Sequence, residues 1–478
     1  MSVYQRSGSV ATVPYGDLLP LPEEQPAYLG LAHALRGMVM DGRLAVGARL
    51  PSERHLALEL GLSRTTITRA YGELVESGWA RARQGSGTTI HIPGGERSPS
   101  LPLVPGVRGD DLDLSSAAGP APSGTAALVA RALDWLPSVL GSAGYEPFGA
   151  EHLRRRIADA YVARGVPTDP DQVVVTPGAL AALSIALHAL LAPGERVLVD
   201  SPTYPGVLGA VAAVRARPTS IALQDHWDLA GWAAATRRVR PRAAYLIPDF
   251  HNPTGLLMDA DERVRLARLL QDAGVVAIAD ETPAELGFGE VPVPAPWAAT
   301  DPRAITVGSL SKVLWGGVRI GWLRCPPELL DALRTRALQL TMGASVFDQL
   351  IATTYLEEPD AIRAEVATRL RDARDLWRTE LAERLPEWRV NRPDGGLALW
   401  VELPRRAASD LAVAAAAHQL MVTPGPAFSA DRTHANRVRL PLTLPLAAIP
   451  EAAERLAAAW AAAGRGATGS GTIPPVPL

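Results

Sequence analysis

The chain has 478 residues, 47% of them hydrophobic and 20% charged, with a net charge of −3, which describes a folded protein of two or more domains and excludes a polycation. Its one cysteine, Cys325, excludes an internal disulfide framework and a cysteine-cluster metal site. No stretch approaches a charge-free membrane span and the first residues lack a signal-type apolar core, so a soluble cytoplasmic protein with no membrane partner is expected.

Residues 1–26 are irregular and proline-punctuated and read as an arm. A compact helical unit follows over 27–92. Leu31, Leu35 and Val39 share one helical face. Ser52 is placed to cap a second helix that runs through Leu56 to Leu60 and stops at Gly61. Ser63 is placed to cap a third, from Arg64 to about Ser77, with Ile67, Ala70 and Leu74 facing inward. Two helices joined by a short turn, the second starting Ser-Arg-Thr-Thr, predict helix-turn-helix geometry. Trp79 to Ile90 then predicts a hairpin with a glycine-rich tip, a wing. Over 27–92 eight arginines face five acidic residues, which gives +3 and leaves −6 for the remainder. A basic module on an acidic body suits a phosphate-facing surface, although a small bundle used for protein contacts has the same pattern.

Arg49-Leu50-Pro51-Ser52-Glu53-Arg54, Leu62-Ser63-Arg64-Thr65-Thr66 and Gly85-Ser86-Gly87-Thr88 resemble the winged-helix signature of the GntR family of bacterial regulators. The resemblance implies a double-stranded DNA operator as partner. It puts Arg54, Arg64, Thr65, Thr68 and the wing tip at Gly85 at DNA-contacting positions.

Residues 93–112 are rich in Pro, Gly and Ser and read as a flexible linker, whose span of roughly 25 Å could cross between subunits. From 113 to 465 apolar β-branched runs alternate with Ala/Leu-rich helical stretches, the α/β pattern. Residues 466–478 read as a disordered tail. Within the large unit several strands end in polar residues. Val173–Thr176 leads into Pro177-Gly178-Ala179, a glycine turn that opens a helix and offers free N–H groups to a phosphate. Arg196–Asp200 leads to Tyr204, able to stack on a flat ring, and Tyr245–Pro248 leads to Asn252-Pro253-Thr254-Gly255. Val275–Ala279 ends in Asp280, a carboxylate that needs a partner once buried. Ala304–Val307 leads to Gly308-Ser309-Leu310-Ser311-Lys312, with Arg319 seven residues on. Lys312 is the only lysine in the chain. Arginine replaces lysine as a surface charge but cannot form a Schiff base, so the surviving amine points to covalent chemistry with a carbonyl.

An acid for a ring nitrogen, an aromatic to stack, a phosphate cradle and a lysine form the set that pyridoxal 5'-phosphate requires. In this order they resemble the fold-type I aminotransferases, and with the GntR-type module the chain is similar to the MocR subfamily of regulators. The fold class implied is α/β: a winged helix-turn-helix, then an aminotransferase-like domain with a mostly parallel sheet and a smaller C-terminal α+β subdomain. The resemblance makes Lys312 the Schiff-base lysine, pairs Asp280 with the pyridine nitrogen, Asn252 with the ring hydroxyl, and stacks Tyr204 on the ring. It gives the phosphate to Gly178, Ala179, Ser309, Ser311 and Arg319, with Tyr145 reaching across the interface of a head-to-tail homodimer. In that dimer each DNA module lies near the partner's large domain. An effector's carboxylate falls to Arg439, with Arg437 as the alternative. The chain departs from the pattern at Thr282, where the family has a tyrosine that bonds the ring hydroxyl.

Three functions are compatible with these features. One is a regulator that senses an amine or amino acid by exchange at Lys312; another is a working aminotransferase with an accessory DNA module, and residual half-transamination fits either. The third, a DNA-binding protein with a scaffold domain, leaves the lone lysine without a purpose. The intact Ser-Arg-Thr-Thr start favours the regulator.

Overall fold

The computed structural model describes residues 15–18, 26–40, 44, 48–83, 87–91 and 111–465. Gly85, most of the arm and linker, and the tail lie outside the described residues. In the N-terminal module α1 (Ala27–Met40), α2 (Glu53–Leu60) and α3 (Arg64–Glu76) precede a hairpin of β1 (Ala80–Arg83) and β2 (Gly87–Ile90). The Ser52 Oγ accepts from the His55 N–H and the Ser63 Oγ from the Thr66 N–H, each satisfying a donor that the helix start leaves free. Leu31, Leu35, Leu56, Leu60, Ile67, Ala70 and Leu74 bury their side chains in one core, which also takes in Trp79 and Ile90 from the hairpin. Arg36 ties α1 to α3 through Glu73 at 2.7 Å.

The large unit opens with β3 (Leu112–Asp113), α4 (Thr125–Leu133), α5 (Leu136–Val139) and α6 (Glu151–Ala163). Strands and helices then alternate: β4 (Val173–Thr176), α7 (Ala179–Leu190), β5 (Arg196–Ser201), α8 (Pro205–Ala213), β6 (Arg217–Ala222), α9 (Leu229–Val239), β7 (Ala243–Leu246), α10 (Ala260–Asp272) and β8 (Val276–Asp280). After β9 (Ile305–Ser309) and β10 (Gly321–Arg324) come α11 (Leu330–Leu340) and α12 (Val346–Glu357). One seven-stranded sheet results, in the order β4-β10-β9-β8-β7-β5-β6, with β10 antiparallel to both its neighbours. β4, β7 and β9 are buried along their whole length because helices cover both faces. α7 and α8 contribute to the core on one face, and Trp232, Leu266 and Leu270 of α9 and α10 to the core on the other.

The chain then runs through α13 (Asp360–Arg384), β11 (Arg389–Val390), β12 (Ala398–Glu402), α14 (Ala408–Ala417), β13 (Leu420–Met421), β14 (Thr423–Pro424), β15 (Arg437–Pro441) and α15 (Ile449–Arg465). A four-stranded antiparallel sheet, β11-β12-β15-β14, forms the smaller α+β part. β3, the first strand after the linker, pairs in parallel with β13. The N-terminal module leans on this subdomain. His33 on α1 meets Asp410 on α14 at 2.7 Å, and Val413 packs against the module's core. This contact is with the chain's own small subdomain.

Candidate functional site

The polar residues that end the sheet's strands converge. Asp280 sits at the end of β8, beside β7 and β9, and is 7% exposed. The Thr282 N–H donates to its Oδ1 at 3.0 Å and the Tyr245 hydroxyl to its Oδ2 at 2.8 Å. Among the described residues no cation lies within ion-pair distance, so burial raises its pKa against the hydrogen bonds of Thr282 and Tyr245 and the field of Lys312. Lys312 is drawn down from 10.5 to about 8, by burial first and then by Arg439 and Arg319, with Asp280 opposing. An amine at that value has a substantial neutral, nucleophilic fraction near neutral pH. Its Nζ donates to the Ala117 carbonyl at 2.9 Å.

Gly178 forms the turn before α7 with φ +88°, a backbone that side chains rarely adopt, and a Cβ there would stand 2.7 Å from the Arg319 guanidinium. Arg319 therefore lies directly against the start of α7, where it donates to the Pro177 carbonyl at 3.3 Å. Ala179 opens that helix, and its free N–H groups and the arginine face the same space. Ser309 and Ser311 brace the turn that carries the lysine. Their hydroxyls donate to the Ile320 and Val318 carbonyls at 3.0 and 3.2 Å, leaving lone pairs rather than protons. The Tyr204 ring rests on Gly206, where any side chain would collide with it. Burial, then the charge on Asp280, lifts the Tyr204 phenol to about 12, with Arg439 and Arg319 opposing.

Arg437 and Arg439 part company. Arg437 is half-buried and paired with Glu402 at 3.2 Å. Arg439 is 5% exposed, stacks over Phe428, and donates to the Ser115 carbonyl. Burial lowers its pKa to about 10, and its charge acts on Lys312. Asn252 is half-buried in its turn. Tyr145 is 68% exposed and outside this cluster.

Arg54, Arg64, Thr65 and Thr68 lie exposed around the starts of α2 and α3. Glu53 joins two of them: Thr68 Oγ1 donates to it at 2.8 Å, and Arg64 Nε stands 3.5 Å away. That orients the recognition turn while the rest of the guanidinium is free to reach phosphate or a guanine edge.

The structure thus brings together Lys312, Asp280, Tyr204, Arg319, the Gly178 turn and Arg439. Sequence reasoning missed Tyr245 and the Ser115 and Ala117 carbonyls. Tyr245 carried a signal, a hydroxyl in an all-apolar central strand; main-chain carbonyls carry none.

The family model "Aminotransferase class I and II" matches residues 139–456, well over half of the chain. The model "Bacterial regulatory proteins, gntR family" matches residues 27–90. The chain is 29% identical to the uncharacterized HTH-type transcriptional regulator YdcR of Escherichia coli, covering 84% of this chain and 92% of that one. It is 28% identical to the HTH-type transcriptional regulator TauR of Rhodobacter capsulatus, covering 90% and 96%. Among solved structures, the alpha-aminoadipate aminotransferase LysN of Thermus thermophilus, complexed with a phosphopyridoxyl-leucine, matches with a TM-score of 0.67 at 28% identity. That match covers 74% of this chain and 93% of that one.

Pyridoxal phosphate is the cofactor of this family. The residues present fit it: a buried carboxylate without a counter-cation, a glycine turn and arginine that face a common space, and a half-buried amine drawn down to about 8. With the fold, the sequence match and this donor set in agreement, the chain belongs to the class I and II aminotransferase family, preceded by a gntR-family DNA-binding domain as in the MocR subfamily of regulators.

Proposed function

We propose that the protein regulates transcription by sensing an amine or amino acid at Lys312. The observation that carries this reading is the chain's one lysine, half-buried and within the fields of Asp280, Arg319 and Arg439, in a protein that presents Arg54, Arg64, Thr65 and Thr68 exposed on its helix-turn-helix. Bound pyridoxal phosphate supplies an aldehyde with which an amine condenses. Asp280 would hold the ring nitrogen, Asn252 the ring hydroxyl, and Tyr204 one ring face. The Gly178–Ala179 turn and Arg319 would hold the phosphate, with Ser309 and Ser311 turning their hydroxyls to it from the Ile320 and Val318 carbonyls. Arg439 would take an effector's carboxylate, in place of the Ser115 carbonyl that it holds here.

A continuous set of contacts supports coupling to DNA. Ser115 lies just after β3, β3 pairs with β13, β13 follows α14, and α14 holds α1 through Asp410 and His33. An effector that takes Arg439 from Ser115 alters the first link of that set, and the DNA module sits on the last.

The assembly we propose is a homodimer. Tyr145, Trp135, Leu140, Met342 and Phe347 are all more than half exposed, and Gly343 lies against the Glu146 backbone, so the two segments adjoin. An apolar patch of that kind needs a partner, and a second copy would let Tyr145 reach the neighbouring phosphate site.

The second reading, a working aminotransferase, is favoured by the same Lys312, an amine able to move a proton at a substrate carbon, with Asp280 set for the ring nitrogen. Footprinting on the DNA upstream of the protein's own gene, with a panel of amino acids, separates the two. A regulator changes its footprint with one amino acid and loses that response in Lys312→Ala. Steady keto-acid production with an unchanged footprint would favour the enzyme.

A further inference from the structure

Tyr245 lies on β7, the strand beside β8, and is fully buried. Its hydroxyl is committed to a single acceptor, Asp280 Oδ2 at 2.8 Å. The other oxygen takes the Thr282 N–H at 3.0 Å. A donor on each oxygen sets the plane of a carboxylate, and these are the contacts that would keep Asp280 from rotating about its last bond. We propose that Tyr245 is a positioning residue for the cofactor: its phenol aims the Asp280 carboxylate and sets how much negative charge that carboxylate presents to the ring nitrogen. The proposal rests on the cofactor and not on the regulatory reading, so it stands for a sensor and an enzyme alike.

The chemistry favours this role over simple packing. A phenylalanine would fill the same volume among the apolar side chains of the core. A hydroxyl there, if not bonded, would be costly, and the one partner it has is the acid. Burial, then the charge on Asp280, holds the phenol well above its ordinary value, so it remains a donor throughout the working pH range. The charged and titratable groups whose fields act around this pair are Lys312, Arg319, Arg439, Tyr204 and Asp200. Among the described residues none of these five donates a hydrogen bond to Asp280, and the Tyr204 ring lies against Gly206. Tyr245 is therefore the donor that reaches Asp280 from a neighbouring strand, while Thr282 acts from the acid's own turn.

The sign follows from the charge. Without the phenol, Asp280 is the stronger base and draws the ring proton towards itself, so the ring is less electron-withdrawing. With a more acidic phenol the carboxylate is weaker and the ring more positive. The experiment uses the cofactor-loaded full chain in three forms: wild type, Tyr245→Phe, and the chain with a ring-fluorinated tyrosine at position 245 alone. The readouts are the pH midpoint of the bound cofactor's absorbance change and the dissociation constant for pyridoxal phosphate. Tyr245→Phe is expected to move the midpoint up and weaken binding by about tenfold, the loss of one hydrogen bond to a charged group. The fluorinated chain is expected to move the midpoint down. In an Asp280→Asn background the Phe substitution should add little, because the two residues act as a unit. Equal midpoints in all three forms would overturn the proposal. So would a loss of affinity on Tyr245→Phe that is just as large in the Asp280→Asn background, since that is the signature of packing. Should Tyr245→Phe not fold, the fluorinated chain alone decides, because it keeps the shape and changes only the donor.

Discussion

Lys312 has the surroundings of a nucleophile. Its pKa near 8 reflects burial and the charges of Arg439 and Arg319. The rate at which cofactor-free protein takes up pyridoxal phosphate should therefore rise with pH and level off above about 8. An ordinary lysine would keep gaining to beyond pH 10. Arg439→Met removes one of the two positive neighbours, so the plateau should move to higher pH; a stopped-flow pH–rate profile checks both. By the resemblance, Thr282 stands where a tyrosine would donate to the ring hydroxyl; here it faces Asp280 instead. Thr282→Tyr should lower the pH midpoint of the bound cofactor's absorbance, and an unmoved midpoint would show that the departure has no electronic consequence. The choice between Arg437 and Arg439 illustrates what a sequence withholds. They alternate on β15, so both point to one face, and periodicity cannot separate them. Depth separates them: Arg437 reaches Glu402 at the edge, while Arg439 is enclosed beside Phe428.

The proposed cofactor cradle is made by the ends of elements, where backbone groups are free. At the Gly178 turn, Gly178→Ala would strain a φ of +88° and push a methyl to 2.7 Å from Arg319. Cofactor affinity should fall by about tenfold or more, in line with roughly 1–3 kcal/mol of backbone strain, as equilibrium titration would show. In the DNA module Ser63 caps α3, the helix whose first turn carries Arg64 and Thr65. Ser63→Ala should take about 1 kcal/mol from the module's stability and weaken operator binding, with the cofactor spectrum unchanged; calorimetry of the full chain and a DNA titration check the pair. These termini were legible in the sequence because capping is local: Ser52, Ser63 and Gly61 lie next to the helices that they bound. The strand-end residues Asp280 and Lys312 were legible because each follows an unbroken apolar run. What joins Arg439 to Ser115, Tyr245 to Asp280 and α1 to α14 was not, because those contacts link distant segments and two of the acceptors are main-chain or surface oxygens with no pattern of their own.

At the scale of the whole molecule, the DNA module and the small subdomain meet at His33 and Asp410, with Gly37 set against Ser409. A half-exposed pair of this kind contributes little stability, which suits a contact meant to open and close. Asp410→Arg should release α1, seen as faster amide exchange over 27–40 and 408–417, with the cofactor spectrum unaltered. If exchange over both helices stays as in the wild type, the path from β3 through β13 and α14 to α1 is not the coupling route. Everything in this account passes through one amine. The direct measurement is therefore borohydride reduction of the purified protein with pyridoxal phosphate, followed by peptide mapping and the visible spectrum, for wild type beside Lys312→Ala. One phosphopyridoxyl group fixed on the peptide that contains Lys312, and none in the variant, is the predicted result. A wild-type protein that stays colourless and unlabelled with added cofactor would contradict it and leave the large domain as a scaffold for the DNA-binding module.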